Sequence, residues 1–262
     1  MKFIFDLDGT ICFKGRPLSE AMVRALDALA QKGHEIVFAS ARPIRDLLPV
    51  LPPHMHDWPM IGGNGAFVAI GGRIVSTSPF DRTVAEEILK LLRTYEAEYL
   101  VDSNWDYAYT GSEEHPIRRN LDPERRAQNL PVEALAEIVK VVVLRSRDGE
   151  RMLEALRKLP IVLYRHGAEE IWDMSPNGVD KWTGLQAMGI APRQYIAFGN
   201  DANDVALFKH ALRSVCVGDH AELSRLATER VASAEEHVVR KIQEMLEEHQ
   251  ASNNTCPVRL KS

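Results

Sequence analysis

The 262-residue sequence has few cysteines, no long apolar run and no surplus of positive charge. Cys12, Cys216 and Cys256 are too few and too scattered for a disulfide framework or a structural zinc site, and they read as isolated thiols. No apolar stretch reaches the roughly 20 residues that a membrane-spanning helix needs. No basic leader precedes the strand that begins at Lys2, so the chain is expected in the cytoplasm. A formal net charge of -5 provides no basic field for steering toward nucleic acid or an anionic membrane, and neither is expected as a partner. Any anion it handles must be held locally. No internal repeat is visible.

Hydrophobic residues make up 45% of the chain and charged residues 26%, enough apolar material for a sizeable core. The length exceeds one ordinary domain and falls short of two, which suits a core carrying a smaller insertion. Apolar runs at Lys2 to Asp6 and Glu35 to Ala39 alternate with an amphipathic stretch opened by Ser19 (Met22, Leu26, Leu29) and stopped by Gly33. Pro43 suits the first turn of another helix. Met60-Ile61 leads into Gly62-Gly63-Asn64-Gly65, and Ala66 to Ile70 with Arg73 to Ser76 flank Gly71-Gly72 as a hairpin.

From Asp81 the texture changes. A helix through Val84, Ile88, Leu91 and Leu92 precedes a Tyr- and Trp-bearing segment (Tyr99 to Tyr109) and a polar stretch to Asn129. Strand patterns follow at Ile138 to Leu144, Ile161 to Tyr164 and Glu170 to Met174, with a helix over Gly149 to Leu159. Alternation then resumes: a helix Val179 to Met188, a strand Tyr195 to Phe198, a helix Asp204 to His210, a strand Ser214 to Val217 and a helix Glu235 to about Glu248. The expected fold class is α/β, a Rossmann-like doubly wound parallel sheet built from 1–80 and 176–262, with an inserted α+β unit at 81–175. A frayed tail is expected after His249.

Four short signals fall where strands of such a sheet end, the place where open α/β sheets bind ligands. The first is Asp6-Leu7-Asp8-Gly9-Thr10. Two carboxylates beside a glycine suit a magnesium ion, and a carboxylate held there can attack phosphorus; a plain strand-end turn is the competing reading. The second, Ser40-Ala41-Arg42, offers a hydroxyl and backbone N–H groups at a helix start, either a phosphate cradle or a simple cap. The third is Lys181 in the first turn of a helix, against the dipole, which suggests a bound anion or a solvated surface lysine. The fourth is Gly199-Asn200-Asp201-Ala202-Asn203-Asp204, a cation site or a heavily capped turn.

In this order and spacing the four signals resemble the haloacid dehalogenase superfamily. Asn64-Gly65-Ala66, the insertion between the second and third signals, and Asp204-Val205-Ala206-Leu207-Phe208 are similar to its Cof-type phosphatases, which carry a large α/β cap. The resemblance implies Asp6 as nucleophile and Asp8 as general acid/base, with the Asp8 carbonyl also on Mg²⁺. It implies that Ser40 and Lys181 hold phosphoryl oxygens. Ala41, Arg42, Asn64 and Asn203 would adjoin the substrate, a small phosphorylated metabolite such as a sugar phosphate. A phosphosugar mutase or a non-catalytic phosphate-binding homologue are the alternatives. One position departs: the family's Gly-Asp-x-x-Asn-Asp reads Gly199-Asn200-Asp201-Ala202-Asn203-Asp204 here. The metal shell would then draw on Asp6, Asp8 and Asn200, with Asp201 taking over or standing behind it together with Asp204. In the insertion, Trp105, Tyr107, Tyr109, His115, Arg118 and Arg119 are candidates for selecting a sugar, core packing being the competing reading for the aromatics. Oligomeric state leaves no mark in the sequence.

Overall fold

A computed structural model describes residues 1–166 and 171–254. β1 (Lys2–Asp6) runs into the loop of the first signal. Ser19 caps α1 (Glu20–Gln31), its Oγ accepting the Met22 N–H at 3.2 Å, and Gly33 at φ 78° turns the chain into β2 (Glu35–Ala39). α2 (Ile44–Leu47) tightens at once into a 3-10 turn over Leu48–Val50, because Pro49 has no N–H to continue the ladder. β3 (Met60–Gly62), β4 (Phe67–Ile70) and β5 (Arg73–Thr77) follow; Gly71 and Gly72, at φ 59° and 71°, make the hairpin turn between the last two.

Next come α3 (Arg82–Thr94), β6 (Glu98–Asp102), β7 (Tyr107–Tyr109), β8 (Lys140–Arg145), α4 (Gly149–Leu156), β9 (Ile161–His166) and β10 (Ile171–Pro176). The chain then forms α5 (Lys181–Ala187), β11 (Tyr195–Gly199), α6 (Val205–His210), β12 (Arg213–Val217), α7 (Ala221–Leu226), β13 (Glu229–Val231) and α8 (Glu235–Asn254).

One sheet has the order β13-β12-β11-β1-β2-β3-β4-β5. Its first six strands are parallel and the β4–β5 hairpin is antiparallel. The chain passes from β1 to one side at β2 and later returns on the other at β11, so β1 lies at the topological switch. The inner strands are apolar on both sides, as a sheet covered on two faces requires. Phe3, Phe5, Phe38 and Phe198 pack with α1 and α8, while Ile4, Val37 and Ala197 pack with α5, α6 and α7.

The second sheet, β7-β6-β8-β10-β9, is antiparallel throughout. Val101, Val141, Val143 and Met174 bury one face against α3 and α4. Leu100, Val142 and Leu144 lie on the other. The two sheets meet at a buried ion cluster. Arg45 of α2 clamps both oxygens of Asp46 at 2.9 Å, reaches Asp102 Oδ1 of β6 at 2.8 Å and donates to the Trp105 carbonyl at 2.6 Å. Its guanidinium lies 4.7 Å from the Tyr107 ring centre, and Asp46 accepts the Asp122 N–H at 2.8 Å.

Several elements differ from expectation. α7 and β13 carry no clear signal: β13 is Glu229-Arg230-Val231, two charges in three residues, and it pairs only at the sheet edge. The helix expected over Gly149 to Leu159 stops at Leu156, and that expected from Val179 begins at Lys181. The segment expected to fray after His249 is helical to Asn254; 255–262, with Cys256, lie outside the described residues, as does Glu170.

Candidate active site

The carboxyl ends of β1, β2 and β11 bring Asp6, Ser40 and Asn200 to one edge of the first sheet. Asp6 is 4% exposed. Its Oδ1 accepts Lys181 Nζ at 2.6 Å and its Oδ2 accepts Thr10 Oγ1 at 2.8 Å. The same ammonium donates to Asp204 Oδ1 at 2.6 Å, and Lys181 and Asp204 are both fully buried. Lys181 is fixed at the start of α5 by a reciprocal cap: Asp180 accepts the Thr183 N–H at 2.8 Å, and Thr183 Oγ1 accepts the Asp180 N–H at 2.9 Å. Two carboxylates therefore answer the lysine that runs against the helix dipole.

One cation between two buried carboxylates leaves negative charge in excess. Burial above all, with help from Asp204, pushes the Asp6 carboxyl up to about 7 against the opposing pull of Lys181 and Thr10. Burial works against the charged form of Lys181, but Asp204 and Asp6 outweigh it and hold the ammonium above its ordinary value.

Asp8 lies two residues past Asp6 with about half of its side chain exposed. Arg42 grips it with two bonds, from Nε at 2.8 Å and Nη2 at 2.5 Å. Arg42, expected beside the substrate, is thus engaged with Asp8. Its own N–H donates to Ser40 Oγ at 3.0 Å, a local turn that leaves Ser40 almost fully buried with Ala41 half-buried beside it.

In the fourth signal the three candidate ligands have different surroundings. A Cβ added at Gly9, itself at φ 81°, would run into the Asn200 amide, so Asn200 packs against the loop that carries Asp8. Asp201 is half exposed, caps its own turn through Ala202 N at 2.7 Å and stands 3.8 Å from His220 Nε2. Asp204 uses both oxygens, one on Lys181 and the other on the Asn200 and Asp201 N–H groups at 2.9 and 3.2 Å. Asn203 Nδ2 donates to Asn64 Oδ1 at 3.0 Å. Asn64 is fully buried at φ 57°, and this pair leaves Asn64 Nδ2 and Asn203 Oδ1 without partners.

A cleft of about 290 Å³ opens beside Asp8, Ala41 and Arg42 and runs to the second sheet, where β6, β8 and β10 line it. Of the six residues suggested for selecting a sugar, only His115 lines it. Trp105 donates to the Arg126 carbonyl, Tyr107 lies beneath Arg45, Tyr109 donates to the Ser112 carbonyl, Arg118 pairs with Glu113, and Arg119 is exposed. The residues the sequence reading passed over are Thr10, Arg45, Asp46, Asp102, Lys140 and Asp173. Thr10 stood inside the first signal; Arg45-Asp46, two charges between Ile44 and Leu47, was a visible cue to a buried pair.

Among the described residues no three His, Cys, Asp or Glu side chains converge as a ready-made metal cage. The oxygen set of Asp6, Asp8 and Asn200 nevertheless suits a hard cation, which takes one or two carboxylates and completes its shell with water and phosphate. Lys181 alone answers the two buried carboxylates of Asp6 and Asp204, which leaves negative charge for such a cation to offset.

A profile of haloacid dehalogenase-like hydrolases matches residues 3–242. The chain is similar to the 5-amino-6-(5-phospho-D-ribitylamino)uracil phosphatase YitU of Bacillus subtilis, 24% identical over 88% of this chain and 92% of that one. It is 28% identical to the phosphoglycolate phosphatase of Methanoculleus marisnigri over 82% of each. Among solved structures, the subclass IIB sugar phosphatase BT4131 superposes with a TM-score of 0.76 at 17% identity, over 93% of this chain and 98% of that one; at that identity it speaks to the fold.

Proposed function

Because this chain belongs to the haloacid dehalogenase-like hydrolases, of the Cof type, we propose that it is a magnesium-dependent phosphatase of small phosphorylated metabolites. The observation that carries the reading is Asp6 at the switch strand, pinned by Lys181 and Thr10 and followed by Asp8. Residues 81–175 serve as a cap over the core of 1–80 and 176–262, and the cleft between the sheets receives the substrate.

Asp6 attacks phosphorus in line, forming an aspartyl-phosphate and expelling the alcohol. Asp8, held in place by Arg42, gives the departing oxygen a proton when it enters the cycle protonated with one of those two bonds released, and the resulting carboxylate then takes a proton from the water that cleaves the acyl phosphate. Lys181 and Ser40 hold phosphoryl oxygens, and the unpartnered Asn64 amide is a further donor. Asp6, the Asp8 carbonyl and Asn200 would hold the magnesium ion, with Asp201 and Asp204 behind them. Bound there, the ion neutralises the charge of the carboxylate and of the phosphoryl oxygens.

A sugar phosphate is one member of this substrate class. Phosphate release from a panel of phosphomonoesters with and without Mg²⁺ tests the proposal, and a protein that releases none would refute it. Product analysis separates hydrolysis from a mutase, which would return an isomer in place of free phosphate.

A further inference from the structure

The alcohol that leaves must begin at Asp8, the residue proposed to protonate it, and Asp8 lies on the wall of the cleft between the two sheets. The far wall of that cleft is the face of the second sheet opposite α3 and α4. Alternate residues of three paired strands supply it: Leu100 and Asp102 from β6, Val142 and Lys140 from β8, Ile171 and Asp173 from β10. Leu100 stands directly across from Val142 in the ladder, and Asp102 across from Lys140.

The charged half of this wall is buried and largely engaged, Asp102 Oδ2 being its one atom without a hydrogen-bond partner among the described residues. Lys140 donates to Asp173, and both are buried. Asp102 is held by Arg45, whose other carboxylate is Asp46. At the mouth, Asp8 and Arg42 hold each other. The surface left to a guest is mostly aliphatic: Leu100, Val142 and Ile171 on one side, with Pro43, Ile117 and Leu121 among the residues facing them. His115 and Asn120 add polar groups from the 115–121 segment.

A polyhydroxylated leaving group would surrender water at every hydroxyl and find few free partners on such walls, a penalty each unmet group carries separately. A ring with apolar faces gains from the same burial. The cleft volume suits a body of one or two rings. From these walls we infer that the preferred substrates are phosphate esters of aromatic or heteroaromatic primary alcohols, with the ring against Leu100, Val142 and Ile171, in preference to sugar phosphates. This rests on the phosphatase reading above.

The test compares benzyl phosphate, glucose 6-phosphate and methyl phosphate on the full chain with Mg²⁺. All three are esters of primary alcohols, so what differs is chiefly the body the cleft must hold. The expected result is a kcat/KM for benzyl phosphate about 10- to 100-fold above that for glucose 6-phosphate. In Val142→Thr, which keeps the shape and adds a hydroxyl, that ratio narrows through the KM for benzyl phosphate, and an unchanged ratio would place the ring elsewhere than on this wall. Glucose 6-phosphate turned over as well as benzyl phosphate would overturn the inference and leave the phosphatase reading standing. No phosphate from any of the three, nor from p-nitrophenyl phosphate, would overturn both.

Discussion

The guanidinium of Arg42 meets both carboxylate oxygens of Asp8, through Nε at 2.8 Å and Nη2 at 2.5 Å. Arg42 follows β2 and Asp8 follows β1, so this fork ties together two loops that the sheet brings side by side. A bidentate pair fixes the plane of the carboxylate as well as its position, which a lysine cannot do. Arg42→Lys should therefore lower kcat by about 10- to 100-fold on alkyl phosphates, with KM much less affected. On p-nitrophenyl phosphate, whose leaving group needs little protonation, the loss should be several-fold smaller. Steady-state kinetics on both esters checks the difference.

Asp6→Asn keeps the shape of the side chain and removes the nucleophile. Phosphate release should fall by roughly three orders of magnitude or more while the far-ultraviolet circular dichroism is retained. Activity within tenfold of the parent would remove Asp6 from the role assigned to it.

Lys181 serves two buried carboxylates, so its loss should be costly in a way its partners reveal. Lys181→Gln should destabilise the fold by about 3 to 5 kcal/mol in urea unfolding, because Asp6 and Asp204 are left buried without a cation. Adding Asp204→Asn should recover part of that loss, the signature of coupled neighbours. The ammonium is held above its ordinary value, so this stabilisation is fully present at neutral pH and is lost only at strongly alkaline pH.

Cys12 is buried, and that burial, followed by the charge of Asp8, pushes its thiol up to about 11. Iodoacetamide at pH 7.5 should leave Cys12 unmodified in the folded protein and label it after unfolding in urea, as peptide mass spectrometry would read. Ionisation of the unfolded chain comes first as the pH rises from about 9 to 11, so over that window this thiol subtracts from stability.

Asn200→Asp should lower the Mg²⁺ concentration needed for half-maximal activity by about tenfold, since it restores a negative charge to an oxygen-rich shell. Magnesium titrations of both proteins decide it; an unchanged midpoint would place Asn200 outside that shell.

The parallel strands were legible because their residues are apolar on both faces: β2 spans the same five residues, Glu35 to Ala39, that the pattern marks. β13 was not, since an edge strand of three residues with two charges has no periodicity to read. Around the candidate site, local signals singled out Asp6, Asp8 and Lys181, because strand ends and helix starts are written in short motifs. Their mutual contacts span 175 residues in the case of Asp6 and Lys181, and no local pattern encodes them. The cleft wall was missed for a related reason: Leu100, Val142 and Ile171 lie on three separate strands and become one surface only through pairing register.

Arg45 touches both halves of the molecule, yet it carries its own counterion beside it in sequence. If the two sheets part to admit a substrate, the guanidinium gives up Asp102 and the Trp105 carbonyl but keeps Asp46. The arginine thus remains neutralised in either position, and what changes hands is the single Asp102 carboxylate with Lys140 as its paired-strand neighbour. An opening at this point would leave the Arg45 guanidinium paired with Asp46 and strand no positive charge.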